Sequence, residues 1–387
     1  MNRTTLSLPL GPGKLERYTV GPSKVFATVS EIRSRKAYAA AHIVADPLAE
    51  NRWGAPAAID WEATLVFREH LWSHGLGVAE AMDTAQRGMG LDWNSTRELI
   101  RRSTAAASAG KRAIVCGAGT DQLPAGRTYQ LAEISEAYQE QCGWIEQCGG
   151  RIVVMASRAL AATARSFDDY LEVYRKVVCS SGDPVLLHWL GPMFDPCLTG
   201  YWGADNLDEA TANFLTLLTE LADKIEGVKV SLLDKQWEIT LREKLPLGID
   251  LFSGDDFSYP ELILGDKTHF SHALLGIFEG IAPAASAALG ALDRGDDDEF
   301  LELLEPTVPL SRHIFQEPNY YYKTGLVFLA YLNGLQEHFR MIGGLESARS
   351  VPHLSRLFVL ADQAGLLLEP ELAVQRMRRF LRLAGVE

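Results

Sequence analysis

The sequence predicts an α/β fold, a closed (β/α)8 barrel, and three observations carry that reading. Short apolar runs alternate with helical stretches eight times between residues 35 and 292. An open doubly wound sheet would want a glycine-rich phosphate loop after an early strand, and Cys116-Gly117-Ala118-Gly119 is only a fragment of one. Beyond the eighth run the chain reads as helix to its end. Strands alternating with helices pair in parallel through right-handed crossovers, and eight such units close a barrel.

In order, residues 1–34 read as a hairpin or cap: Leu6–Leu10 and Glu16–Val20 flank the turn Gly11-Pro12-Gly13. The eight runs are Ala37–Ala45, Gly77–Ala81, Ala113–Cys116, Ile152–Met155, Val185–Trp189, Gly227–Val230, Ile249–Phe252 and Thr268–Leu274. Between them lie helical stretches at Trp61–His74, Ser95–Ala107, Ala132–Cys148, Ser166–Val178, Leu207–Lys224, Lys235–Lys244 and Tyr259–Leu264. Ser95-x-x-Glu98 and Ser258-x-x-Glu261 have the form of capping boxes. The barrel is expected over 35–292 and a helical extension over 293–387, with helices at Ile281–Leu292, Asp298–Gln316, Asn319–Gln336, His353–Ala364 and Glu369–Ala384.

Composition narrows the function classes. The chain has 387 residues, 47% of them hydrophobic, and a net charge of −13. An acidic surface lacks the basic patch that neutralises nucleic-acid phosphates or anionic membranes, so neither is an expected partner. The run from Asp293 to Glu299 reads as a solvated loop and helix start. Five scattered cysteines without a CxxC form no disulfide or zinc pattern, which points to a reducing cytoplasm. The N-terminal stretch lacks an apolar signal-peptide core, and no apolar run is long enough to cross a bilayer.

The order of residues resembles the class I aldolase superfamily of dihydrodipicolinate synthase and N-acetylneuraminate lyase, as a divergent bacterial dihydrodipicolinate synthase-like branch. The resemblance runs from about Ala40 to Leu381. It is carried by Ile43-Val44-Ala45-Asp46-Pro47-Leu48, by Ile59-Asp60-Trp61 before a helix ending at Gly75, and by Ile225-Glu226-Gly227-Val228-Lys229-Val230-Ser231. Phe252-Ser253-Gly254-Asp255-Asp256, Tyr322-Lys323-Thr324-Gly325 and Arg340-Met341-Ile342 complete it. The resemblance implies a Schiff-base lysine at Lys229, substrate contacts at Ser253 and Asp255, no external cofactor and no metal. It also implies a homo-oligomer, dimer or tetramer. Two signatures depart from the family. Met82-Asp83-Thr84-Ala85-Gln86 stands where a Gly-Thr-Thr-Gly-Glu loop is expected, and Leu187-His188-Trp189-Leu190-Gly191-Pro192 where Tyr-Asn-x-Pro is expected.

Each candidate residue has a chemical reading and a bland one. A lysine amine attacks a carbonyl only when neutral, and at neutral pH only about one ordinary lysine in a few thousand is. Burial at a barrel mouth raises that fraction; the alternative is a strand-end Lys229 paired with a carboxylate such as Asp255. The strand pattern alone favours the pair, and the resemblance favours the imine. His188 would take over the tyrosine's proton transfers, or pack against Trp189. Asp83, pointing into the mouth, would repel a substrate carboxylate by about 4 kcal/mol at 4 Å and an effective dielectric near 20. That favours a neutral carbonyl or sugar-derived substrate held by Asp83, Thr84 and Gln86; alternatively Asp83 pairs with Arg87 or Arg112 and faces away. Asp255 and Asp256 would orient a hydroxyl or present the helix near Ser258. Trp189, Tyr201 and Trp202 would wall a pocket or pack.

The leading expectation is a Schiff-base lyase or aldolase-type enzyme performing C–C cleavage, condensation or dehydration on a small carbonyl substrate. One alternative is a metal-dependent barrel isomerase or aldolase using His188, Asp83, Asp255 and His269 or His272. His70 and His74, four apart on a helix, have metal-like spacing but lie at its C-terminal end, the non-catalytic side of a barrel. A catalytically silent binding relative is the other alternative.

Overall fold

The computed structural model describes residues 4–11, 13–266 and 268–386, which form two compact units. One comprises residues 35–41 and 77–275; the other comprises the described residues of 1–34, 42–76 and 276–387.

The second unit holds an antiparallel hairpin, β1 (Thr5–Gly11) and β2 (Lys14–Thr19), with Thr5 opposite Thr19 and Leu8 opposite Glu16, then a shift of register before Gly11 opposite Lys14. Pro12 of the expected turn lies outside the described residues. The helix Trp61–Ser73 and the C-terminal helices belong to the same unit. The stretch expected as one helix from Asp298 to Gln316 breaks into Asp297–Leu304, a 3-10 turn at Glu305–Thr307 and Val308–Ile314. Pro306 and Pro309 lack the N–H groups that an unbroken helix needs. The next helix, Tyr322–Leu332, is wholly buried and ends four residues before Gln336. Asp296 caps Asp297–Leu304 and Asp293 accepts from the Arg33 and Ser34 amides, so the acidic run is structural.

The first unit is the barrel. Its strands are β3 (Ala37–Ala40), β4 (Gly77–Glu80), β5 (Ile114–Ala118), β6 (Arg151–Val154), β7 (Val185–Leu190), β8 (Ile225–Ser231), β9 (Asp250–Ser253) and β10 (His272–Leu275). All neighbours are parallel, and β10 closes on β3 with Ala273 beside Ala37. The expected sheet order is the observed one. Two runs are shorter than expected: β3 stops at Ala40, and β10 begins at His272 rather than Thr268.

Side chains alternate across each strand. Tyr38, Ala79, Val115, Val153, Leu186, Phe252 and Leu274 pack together from seven different strands and fill the barrel interior. Bulky residues on some strands and alanine on others let these side chains interdigitate. A Cβ on Gly227 would lie 2.8 Å from the Phe252 ring and 2.9 Å from Leu186, so glycine is what lets β8 join this layer.

Neither expected capping box forms. Asp92 caps the helix Trp93–Gly110 through the Ser95 amide, while Glu98 pairs with Arg101 and Arg102. Asp92 is the earlier acceptor and wins the first turn. Ser258 makes no side-chain cap; instead Asp255 Oδ1 accepts from the Phe257 and Ser258 amides. A capping box does form at Gln130 and Glu133, whose carboxylate accepts from the Gln130 amide at 2.8 Å.

Candidate active site

Period-two alternation on β8 puts Gly227, Lys229 and Ser231 on the inward face, above the layer just described. The same parity on β7 turns Leu186, His188 and Leu190 inward. His188 and Lys229 are register partners across the β7–β8 ladder, as are Leu190 and Ser231. These positions lie toward the C-terminal ends of their strands, the end at which barrel enzymes carry chemistry.

Lys229 is 7% exposed, and no hydrogen bond or ion pair engages its Nζ among the described residues. Burial lowers its pKa from the ordinary value, because desolvation disfavours the cation. Asp83 and Asp256 act in the opposite direction, which places both carboxylates within electrostatic reach of the amine. The bland expectation of a lysine tied to Asp255 is not what forms: Asp255 is engaged by the turn amides.

His188 is buried, and burial, with the Lys229 charge beside it, holds its pKa well below the ordinary histidine range. It is therefore a neutral imidazole. Nε2 lies 3.2 Å from Ser231 Oγ, and Nδ1 has no hydrogen-bond partner among the described residues.

Asp83 opens a 3-10 turn at Asp83–Ala85 just beyond β4, half-buried. The expected alternative partner Arg87 is taken by Asp121, at 2.8 Å from Nε, and by the carbonyls of Ala81 and Gly117. Asp83 acts electrostatically on both Lys229 and Arg158 and lines the cavity at this end of the barrel. Thr84 and Gln86 are buried, and Gln86 has φ +66° with its amide donating to the Met89 carbonyl, so it shapes its own loop.

Two expected contacts point away from the mouth. Trp189 stacks edge-on with Trp202, Phe214 and Trp237 at 4.9–6.0 Å, on the face of β7 opposite His188. Ser253 is on the outer face of β9: its hydroxyl donates to Glu238 on the helix Lys235–Lys244 and accepts from the Asp255 amide. Both are turned outward because their neighbours, His188 and Phe252, are turned inward. Glu238 also accepts from Ser271 at 2.8 Å, and burial raises its pKa to about 8.

The inward position after Phe252 is Gly254, whose amide donates to the Val230 carbonyl at 2.7 Å. A Cβ there would lie 2.2 Å from Ser231 Oγ and 2.9 Å from Lys229 Cε. Gly254 is therefore the space that the lysine stem and the serine hydroxyl share. Sequence reasoning missed Ser231 and Gly254, although counting by twos from Lys229 and Phe252 finds both.

The mixed metal constellation does not assemble. His272 opens β10, at the far end of its strand from the mouth, beside Asp250; His269 is half-exposed against Asp266. Among the described residues no group of three or more histidine, cysteine or acidic side chains has metal-binding geometry. His70 and His74 sit 4.6 Å apart, and burial lowers His70 to about 4. The five cysteines are free, and among the described residues no helix is long and apolar enough to cross a membrane.

Solved structures similar in fold to this chain include dihydrodipicolinate synthase-type barrels. A prophage protein of the dihydrodipicolinic acid synthase family from E. coli K12, solved with pyruvate, aligns with TM-score 0.66 at 15% identity, over 86% of this chain and 99% of its own. The dihydrodipicolinate synthase of Thermotoga maritima gives TM-score 0.63 at 14%, over 86% and 99%. The 4-hydroxy-tetrahydrodipicolinate synthase of Methylacidiphilum fumariolicum SolV gives 0.62 at 16%, over 91% and 98%. No curated protein matches the chain. The family model described as "Protein of unknown function (DUF993)" matches residues 6–386, nearly the whole sequence, and the chain belongs to that family.

Proposed function

We propose that the protein is a Schiff-base lyase or aldolase-type enzyme acting on a small carbonyl or sugar-derived substrate through Lys229. One observation carries the reading: Lys229, on the inward face of a barrel strand, is buried toward its C-terminal end with no ion pair among the described residues, and burial lowers its pKa. Likeness of fold to the dihydrodipicolinate synthases supports it.

The neutral amine adds to the substrate carbonyl, and the carbinolamine loses water to give an iminium. The iminium then accepts the electron pair released when a bond to the adjacent carbon breaks. In cleavage His188, bonded to Ser231, takes the proton of the hydroxyl one carbon further on, which becomes a carbonyl, and returns it to the enamine carbon; in dehydration it takes the proton of the carbon next to the iminium and gives it to the departing hydroxyl; hydrolysis then frees the lysine. The second product leaves as a carbonyl compound or as water.

The substrate carries no carboxylate next to its carbonyl. Asp83 and Asp256 both act on Lys229, so their carboxylates stand near the reacting carbon. A 2-keto acid would meet repulsion from both.

Borohydride reduction with a panel of carbonyl metabolites, read by mass spectrometry at Lys229, tests the reading. Adducts with neutral carbonyls and none with micromolar pyruvate are expected. No adduct across a broad panel overturns the imine mechanism, and a tight pyruvate adduct overturns the substrate class.

A further inference from the structure

A cavity of about 570 Å³ opens between the ends of β4, β5, β6 and β7. Asp83, which acts on Lys229, is one of its walls, and so is Leu190, the inward residue after His188. The cavity thus adjoins the lysine's surroundings through Asp83 and through Leu190, the register partner of Ser231. Its volume lies in the range that encloses a drug-sized ligand, far more than a three-carbon carbonyl needs. Most of its wall is apolar, through Leu123, Pro124, Met155, Ala159, Leu190 and Leu198. A bare polyol would leave most of its hydroxyls unpaired against such a wall.

The cavity also carries one built polar feature. Thr120 Oγ1 and Ser157 Oγ are 2.6 Å apart, at 6% and 1% exposure. Ser157 Oγ accepts from the Leu160 amide at 3.0 Å, and the Ser157 amide donates to Tyr201 Oη at 3.0 Å, which Tyr174 holds in turn. The pair has two hydroxyl protons. One is used between the two oxygens, whichever donates, and the other has no acceptor among the described residues. A buried donor of this kind is costly to leave unmade, and a ligand oxygen would satisfy it.

We infer that this cavity binds the distal part of the substrate, an apolar or aromatic body ending in a hydroxyl whose oxygen accepts from the Thr120–Ser157 pair. The inference rests on the imine reading for the position of the carbonyl. Lys229 is on β8 and Ser157 follows β6, two strand spacings away, so carbonyl and hydroxyl are separated by roughly 10 Å. The arginines of the cavity do not make it an anion site, because Arg87 is bonded to Asp121, Arg127 to Glu133 and Arg158 to Asp195.

The test uses 4-(4-hydroxyphenyl)butan-2-one, its deoxy analogue 4-phenylbutan-2-one, and acetone. Half-saturating concentrations for borohydride trapping at Lys229 are compared in the full-length protein and in Ala159→Phe, Leu123→Trp and Thr120→Val/Ser157→Ala variants, with folding checked by circular dichroism. Two filling variants on different walls guard against one that fails to fold. Filling the cavity is expected to raise the hydroxyphenyl-ketone value relative to acetone by at least about tenfold. The double hydroxyl variant is expected to raise the hydroxyphenyl value relative to its deoxy analogue by about fivefold. If wild type traps all three ketones and no variant moves these ratios, the cavity assignment falls while the imine mechanism stands. If no ketone is trapped, the imine mechanism fails and the cavity is judged by calorimetry with 4-(4-hydroxyphenyl)butan-2-ol. Binding that the filling variants abolish upholds the cavity, and absence of binding to wild type overturns it.

Discussion

His188 and Lys229 are register partners on adjacent parallel strands, both turned into the barrel and both buried. Burial is the larger influence on the imidazole, and the Lys229 charge beside it adds to it. A neutral amine beside a neutral imidazole is the protonation state that imine formation requires.

Lys229→Ala should abolish every borohydride adduct. The pH profile of trapping should reach its plateau below the pH at which an ordinary lysine deprotonates, because burial lowers this pKa. Removing the Asp83 charge by Asp83→Asn takes away an influence that favours the cation, so the neutral fraction rises. Trapping at pH 7 should accelerate about three- to tenfold, as a single charge at short range and effective dielectric near 20 allows. The same variant should gain a detectable pyruvate adduct.

His188→Gln should leave acetone trapping at Lys229 intact while slowing deuterium exchange at the ketone's α-carbons by about 10²–10⁴-fold, the usual contribution of a positioned acid–base group. Mass spectrometry reads both events. Equal loss of trapping and exchange would assign His188 to packing.

Gly254→Ala places a methyl against Ser231 Oγ and Lys229 Cε. Overpacking of this kind costs about 1–3 kcal/mol, which thermal unfolding measures. Trapping should fall far more than stability does, because the atoms displaced are the lysine stem and the hydroxyl beside it.

Glu238 gives a pH dependence of stability. Its folded pKa, about 8, lies above the ordinary 4.5, so the protonated form is favoured by folding. Its contribution is fully present below about pH 4.5 and is lost as pH rises through 8. The difference between the two protonation states is up to roughly 5 kcal/mol. Unfolding temperature should decline from pH 5 to pH 9, and Glu238→Gln should flatten that decline.

The sequence by itself determined the barrel. Eight apolar runs of strand length separated by helical stretches leave little other architecture, and the observed strand order is the one expected. It also singled out Lys229, His188 and Asp83, which the fold brings to one mouth. It did not determine which way neighbouring residues face. Both faces of a barrel strand are buried, so Val228 and Val230 give no sign of which parity is inward. For that reason the pattern that suggests Trp189 and Ser253 as contacts does not show that they point outward, and it does not mark Ser231 and Gly254, which line the site. Tertiary structure alone decided three further things: that Asp121 rather than Asp83 takes Arg87, that Thr120 and Ser157 meet, and that a cavity opens between the ends of β4, β5, β6 and β7. Each joins segments tens of residues apart, and no local pattern encodes a distance between loops that only closure of the barrel brings together.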